Sequence, residues 1–306
     1  MRNRPRVTVL GSLNMDISVT VPRLPQPGAT VLGSAARFTP GGKGANQAVA
    51  AARLGAGVRM AGCVGDDDFG RRLLAALREE GVDHQGVRVT ADAPTGLAMI
   101  SVDHAGENII TVAPGANHEV GDEQVAVTAG HGGILVICAE IPVPAIKAAL
   151  AQAGRCILNL APAPPDGAAI VAAGVDWLVV NETEAATVLG RPVSGLDEAG
   201  QAAAALITAG ARHAVVTAGA HGAALAGPDA TATISAFRVD AVDTVGAGDT
   251  FVGALAVALA AGIPAADAVR AAAAAGATAA TRPGAQAGMP RPADILATTG
   301  IVWPAG

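Results

Sequence analysis

What this chain has little of already narrows its class. Aromatic residues fill only 2% of its 306 positions, and tyrosine is absent. The core must therefore be built from Ala, Val, Leu and Ile, the mix that packs helices on parallel strands. Cysteine is rare: Cys63, Cys138 and Cys156 lie far apart with no C-x-x-C spacing, which excludes a disulfide framework and a thiolate zinc site. They read as reduced core thiols, so the protein is expected in the cytoplasm. The 6 histidines show no metal-ligand spacing. There is no basic cluster to set against a net charge of −6, which argues against a nucleic-acid partner. A membrane partner is not expected either, because the charge-free stretch 250–266 is interrupted by Pro264 and glycines and reads as a buried helix. The apolar run 7–10 after Arg2, Arg4 and Arg6 is too short for a signal-peptide core.

What is present is 51% hydrophobic residues, arranged in a rhythm. Apolar runs of strand length at 7–10, 58–64, 134–138, 157–160, 177–180 and 214–217 alternate with helical patterns at 46–54, 69–80, 144–153 and 196–209. That alternation predicts an α/β fold in three layers, a mostly parallel sheet with helices on both faces. Two regions break the rhythm. Around 16–38, Ile17, Val19 and Val21 alternate with Asp16, Ser18 and Thr20 as in a strand, and 95–113 reads as a hairpin turning at 103–106. Paired, they would make a small β-sheet lid, formed by about 14–40 and 95–113, on a single domain spanning 1–306. The last third is helical at 247–261 and 265–281, with a short piece after Pro292. The alanine run 271–275 fits close helix packing there.

Four loops carry candidate chemistry. Pro40-Gly41-Gly42-Lys43-Gly44-Ala45-Asn46 leads into a helix, where glycines admit a ligand to the backbone and the first N–H groups are unpaired. It is not a Walker A loop, which would need Gly at 37 and Ser or Thr at 44, where Arg37 and Gly44 stand. Asp243-Thr244-Val245-Gly246-Ala247-Gly248-Asp249-Thr250 opens another helix. Its unobstructed amides suit an anion, with Asp249 placed to take a proton from an attacking hydroxyl. An ordinary helix cap is the competing reading of Asp249, weakened by the second carboxylate at Asp243. Asn181-Glu182-Thr183-Glu184 follows a strand, where open α/β sheets bind ligands, although a capping pattern explains it equally well. Thr217-Ala218-Gly219-Ala220-His221-Gly222 is a further small-residue turn after a strand.

In this order the four loops resemble those of the ribokinase-like (PfkB) carbohydrate kinases. Gly41-Gly42-Lys43-Gly44-Ala45-Asn46-Gln47-Ala48 and Asp243-Thr244-Val245-Gly246-Ala247-Gly248-Asp249-Thr250-Phe251 are the most specific matches, and the likeness runs from Gly11 to Ala285. The resemblance implies ATP-dependent transfer of a phosphoryl group to O5 of a small sugar, D-ribose first. Deoxyribose, fructose or a nucleoside are alternative substrates, and a sugar-binding regulator without catalysis is a third reading. It implies that Asn14, Asp16, Gly42, Lys43, Asn46 and Glu140 bind the sugar and that Asp249 is the base. Gly246, Ala247 and Gly248 would form the anion hole. Asn181 and Glu184 would act on Mg²⁺ and phosphate, and Thr217, Ala218, Gly219, Ala220, His221, Gly222 and Gly248 would touch the nucleotide. A monovalent cation, K⁺ or another, would lie at Asp243, Val245, Ala279, Arg282, Gly284 and Gly288. Gly288 departs from the pattern, since such kinases often have Ser there. A homodimer formed through the lid is implied as well.

Overall fold

The computed structural model describes residues 4–130 and 132–304. The chain opens with β1 (Arg6–Leu10), β2 (Asn14–Thr20) and β3 (Arg37–Gly41), then runs through α1 (Lys43–Arg53), β4 (Gly57–Gly65), α2 (Asp68–Glu79) and β5 (Asp83–Thr90). The hairpin β6 (Gly96–Val102) and β7 (Asn108–Ala113) is followed by α3 (Asp122–Thr128), β8 (Ile134–Cys138), α4 (Val143–Gln152) and β9 (Cys156–Asn159). Then come α5 (Gly167–Ala172), β10 (Val175–Asn181), α6 (Glu182–Leu189), α7 (Gly195–Ala209), β11 (Ala211–Thr217), β12 (Gly222–Ala226) and β13 (Ala232–Ser235). Helices α8 (Ala247–Ala260), α9 (Ala265–Ala279), α10 (Ala285–Gly288) and α11 (Pro292–Thr299) follow.

Among the described residues the strands form two sheets. The larger has nine strands in the order β13-β12-β11-β10-β9-β8-β1-β4-β5. It is parallel from β11 to β5, and β12 and β13 add antiparallel edges. Side chains alternate across it: Val7 and Val9 join the apolar cluster that holds α1, α8 and α9, while Leu10, Leu135 and Ile137 join the cluster that holds α4 and α7. Strand β8, Ile-Leu-Val-Ile-Cys, is buried throughout, as expected of a central parallel strand. The chain leaves β1 toward β4 on one side and β8 on the other, so a crevice forms at the carboxyl ends of these strands.

Beyond Asp249 and Thr250 in its first turn, helix α8 is apolar all round, and it is buried from Asp249 to Leu259. It crosses α1 closely: a Cβ on Gly253 would lie 2.7 Å from the Gln47 carbonyl oxygen and 2.8 Å from Ala50 Cβ. Only glycine permits that approach, which carries the start of α1 to the start of α8.

The second sheet has the order β3-β2-β6-β7, with β2 parallel to β6. Asp16 pairs with Thr39 on one side and Ala98 on the other. Because β2 follows β1 after a short loop, Asn14 and Asp16 ride on this small sheet. The expected hairpin is present, whereas residues 21–36 contain no strand. Helix α1 begins at Lys43, earlier than its apolar period suggests, because residues distant in sequence satisfy its first N–H groups. Lys43 N–H donates to Glu140 Oε2 (3.3 Å), Gly44 N–H to Ser12 Oγ (3.4 Å) and Ala45 N–H to the Ser12 carbonyl (3.0 Å). All three cysteines are buried and unpaired. No helix among the described residues is long and apolar enough to cross a membrane.

Candidate active site

The expected sugar-binding residues gather at the carboxyl end of β1 and β8. Asn14 is buried at the start of β2, and its Oδ1 accepts a 2.7 Å hydrogen bond from Asn117 Nδ2. Glu140, just past β8, accepts from Ser12 Oγ at 2.6 Å as well as from Lys43 N–H. Gly11 and Gly44 bring these loops into backbone contact: a Cβ on Gly11 would meet Gly44 Cα at 2.8 Å, and one on Gly44 would meet Gly11 C at 2.7 Å. Asp16 lies against Gly41, and burial, followed by the charges of Glu140 and Asp249, pushes its carboxyl up to about 7.

Asp249 sits in the first turn of α8, only 8% exposed. Its Oδ2 accepts from Asn46 Nδ2 (2.9 Å) and its Oδ1 from Gln47 Nε2 (3.1 Å). The two glycine loops, remote in sequence, thus meet at one carboxylate. The Lys43 ammonium is held above its ordinary value, first by the charge of Asp249 and then by those of Glu140 and Glu184. Its charge is thus stabilised by carboxylates on α8, on the loop after β8 and on α6 together. At the head of α8, Gly246 takes a left-handed conformation (φ 78°) and Gly248 is exposed, which leaves the helix N-terminus open to an anion.

Asn181 and Thr217 are register partners at the ends of β10 and β11, so the loops they open lie side by side. Asn181 and Glu184 form a full capping box. Asn181 Oδ1 accepts from Glu184 N–H (2.9 Å), and Glu184 Oε2 accepts from Asn181 N–H (2.8 Å). Burial raises the Glu184 carboxyl above its usual range. Residues 217–222 make a tight turn, closed by Ala218 N–H donating to the Gly222 carbonyl (2.8 Å), with Gly219, Ala220 and His221 exposed.

Asp243 joins two loops. Its Oδ1 accepts from Val245 N–H (3.0 Å) and its Oδ2 from Gly284 N–H (2.8 Å). The Arg282 guanidinium turns to Asp294 (2.7 Å), so Arg282 offers this region its carbonyl. The Arg282 and Ala279 carbonyl oxygens converge beside Gly288, 3.1 and 3.3 Å from where a Cβ would stand. Such oxygens, with a carboxylate nearby, form a donor set suited to a hard cation.

Sequence reasoning missed Ser12, Gln47, Asn117, Asn159 and Gln286. Gln47 Nε2 also donates to Asn159 Oδ1 (2.9 Å), and Gln286 Nε2 donates to Asn46 Oδ1 (3.1 Å). Gln47, inside the most specific motif, and Ser12, in the stretch 11–16 where the likeness begins, carried a sequence signal.

The family model described as pfkB family carbohydrate kinase matches residues 4–292. Ribokinase of Haemophilus influenzae is 34% identical over 96% of this chain and 98% of its own. Ribokinase of Schizosaccharomyces pombe is 38% identical over 93% of this chain and 94% of its own. The structure of Arabidopsis thaliana ribokinase complexed with ribose and ATP superposes with a TM-score of 0.86 at 31% identity, covering 98% of this chain and 100% of that one.

Proposed function

The chain belongs to the pfkB family of carbohydrate kinases, and from that premise we propose that it transfers the γ-phosphoryl of ATP to O5 of D-ribose. The products are ribose 5-phosphate and ADP. The observation that carries this reading is the meeting of the two loops at Asp249, which puts a buried carboxylate between the expected sugar residues and an open helix N-terminus.

Asn14, Asp16, Gly42, Lys43, Asn46 and Glu140 hold the sugar hydroxyls. Asp249 takes the O5 proton as O5 attacks the γ-phosphorus, and the bond to the β,γ-bridging oxygen breaks with its electrons leaving on ADP. The N–H groups of Gly246, Ala247 and Gly248 take up charge on the transferring phosphoryl. MgATP is the second substrate, placed along Asn181, Glu184 and the turn 217–222. K⁺, or another monovalent cation, would act as an activator, held by carbonyls of Val245 and of the 279–284 segment beside Gly288, with Asp243 fastening the two loops. The second sheet, within 14–40 and 95–113, acts as the lid. Two copies pair through its β6–β7 hairpin, which exposes Met99 and Ile109 on one face and Ile110 and Val112 on the other. Buried, unpaired thiols suit the reducing cytoplasm.

ADP release with MgATP should be measured over ribose, deoxyribose, fructose and nucleosides. Ribose is expected to have the highest kcat/KM. Preference for another acceptor would reassign the substrate, and ADP release with none of them would leave a sugar-binding regulator as the reading.

A further inference from the structure

Both oxygens of the Asp249 carboxylate are held by side-chain amides, and each of those amides is backed by a second one. An amide can present either its NH₂ or its C=O end, and the two ends have nearly the same shape. Turned the wrong way, Asn46 or Gln47 would aim a carbonyl oxygen at a carboxylate.

On the Gln47 side the direction is set from the main chain. Asn159 Nδ2 donates to the Val179 carbonyl of β10 (3.2 Å), a group that can only accept. Asn159 therefore turns Oδ1 toward Gln47 and must receive a donor there, which is Gln47 Nε2 at 2.9 Å. The same nitrogen gives its other N–H to Asp249 Oδ1. Gln47 is fully buried, and its own Oε1 is buried without a partner. Its amide thus places both N–H bonds, one on Asn159 and one on Asp249, which fixes the end that faces the carboxylate.

On the Asn46 side, Gln286 Nε2 fills Asn46 Oδ1, so that Asn46 Nδ2 faces Asp249. Gln286 sits in α10, whose backbone is clamped by Arg53: Nη1 donates to the carbonyls of Gln286 (2.5 Å) and Met289 (2.9 Å), while Nη2 pairs with Glu80.

Resting on the reading of Asp249 as the base, we propose that Gln47, backed by Asn159, and Gln286, acting through Asn46, are positioning residues for phosphoryl transfer. They hold the carboxylate in one orientation, with its remaining lone pairs directed at the sugar hydroxyl. Neither residue exchanges a proton in the reaction.

The test compares Gln47→Met, Gln286→Met and Asp249→Asn by kcat, sugar KM and thermal midpoint. Methionine keeps the volume and removes the amide. Because Gln286 is partly exposed, its variant remains informative if Gln47→Met does not fold. Expected is a fall in kcat of about tenfold or more in each methionine variant, with sugar KM within about threefold in Gln47→Met, as for an interaction needed mainly in the transition state, and raised in Gln286→Met, because Asn46 also holds the sugar. Adding either substitution to Asp249→Asn should change the residual rate by less than about twofold, since the group being positioned is already gone. Parental kcat in the folded methionine variants beside an impaired Asp249→Asn would overturn the proposal, as would equal losses with and without Asp249. Full activity in Asp249→Asn would instead overturn the assignment of the base.

Discussion

Asn117 Nδ2 donates to Asn14 Oδ1 at 2.7 Å, so Asn14 is left with its NH₂ end for a sugar hydroxyl. Asn117 is itself aligned by Leu13, whose N–H it accepts (2.9 Å) and whose carbonyl it bonds (3.2 Å). Asn117→Asp keeps the acceptor for Leu13 N–H, loses the donor to both Asn14 and the Leu13 carbonyl, and sets a carboxyl group in a buried position, so its thermal midpoint should fall as well. Its ribose KM should rise roughly tenfold, the worth of one charge-neutral hydrogen bond, with a smaller change in kcat. Steady-state kinetics would decide, and an unchanged KM would remove Asn14 from the pocket.

Asp249→Asn should keep the fold with a lowered thermal midpoint, because its NH₂ end then faces Asn46 Nδ2 or Gln47 Nε2, and should lower kcat by roughly 10²- to 10⁴-fold, the usual contribution of a positioned base. Its ribose affinity, measured by calorimetry, should remain within a few-fold of the parent.

Asp16 gives a pH dependence whose sign is fixed. Its carboxyl is raised from 3.8 to about 7 in the folded protein, mainly by burial. The folded state thus binds this proton more tightly than the unfolded chain, so Asp16 contributes stability at low pH that is lost as pH rises toward and through 7. Sugar binding needs the ionised acceptor and runs the other way. Ribose KM should rise as pH falls below 7, and Asp16→Asn should flatten that profile. The same variant, without sugar, should gain thermal stability relative to the parent above pH 7.

Cation dependence turns on Gly288. Turnover in KCl should exceed that in tetramethylammonium chloride at equal ionic strength. Gly288→Ser, which adds a hydroxyl beside the Arg282 and Ala279 carbonyls, should lower the KCl concentration needed for half activation. The nearest carbonyl stands 3.1 Å from the new Cβ, so a small outward shift must accompany the change. Equal rates in the two salts would show that the loop needs no cation.

The glycine loops and strand-end carboxylates were legible because each demands unusual local chemistry within a few residues. Elements that owe their form to neighbours were not. Strand β5, Asp-His-Gln-Gly-Val-Arg-Val-Thr, is the outermost parallel strand and lacks a continuous apolar run. Strand β12, Gly-Ala-Ala-Leu-Ala, has the composition of a helix and is a strand only because β11 and β13 flank it. The same limit applied to the site. Asn159 and Gln286 look like ordinary polar residues until the fold sets them behind Gln47 and Asn46, at separations in sequence of 112 and 240. Asn181 and Glu184 fulfilled the capping reading in full, while their action on Mg²⁺ stays a proposal.

The contact between Gly11 and Gly44 bears on how this sequence can drift. Each residue meets the other's main chain, at 2.8 and 2.7 Å from a hypothetical Cβ. Every missense change away from glycine adds that carbon, and a backbone atom cannot be trimmed by mutation in return. No substitution at one position can therefore compensate for a change at the other. Adaptation to a different acceptor must instead proceed through side chains around the crevice, with this crossing held constant.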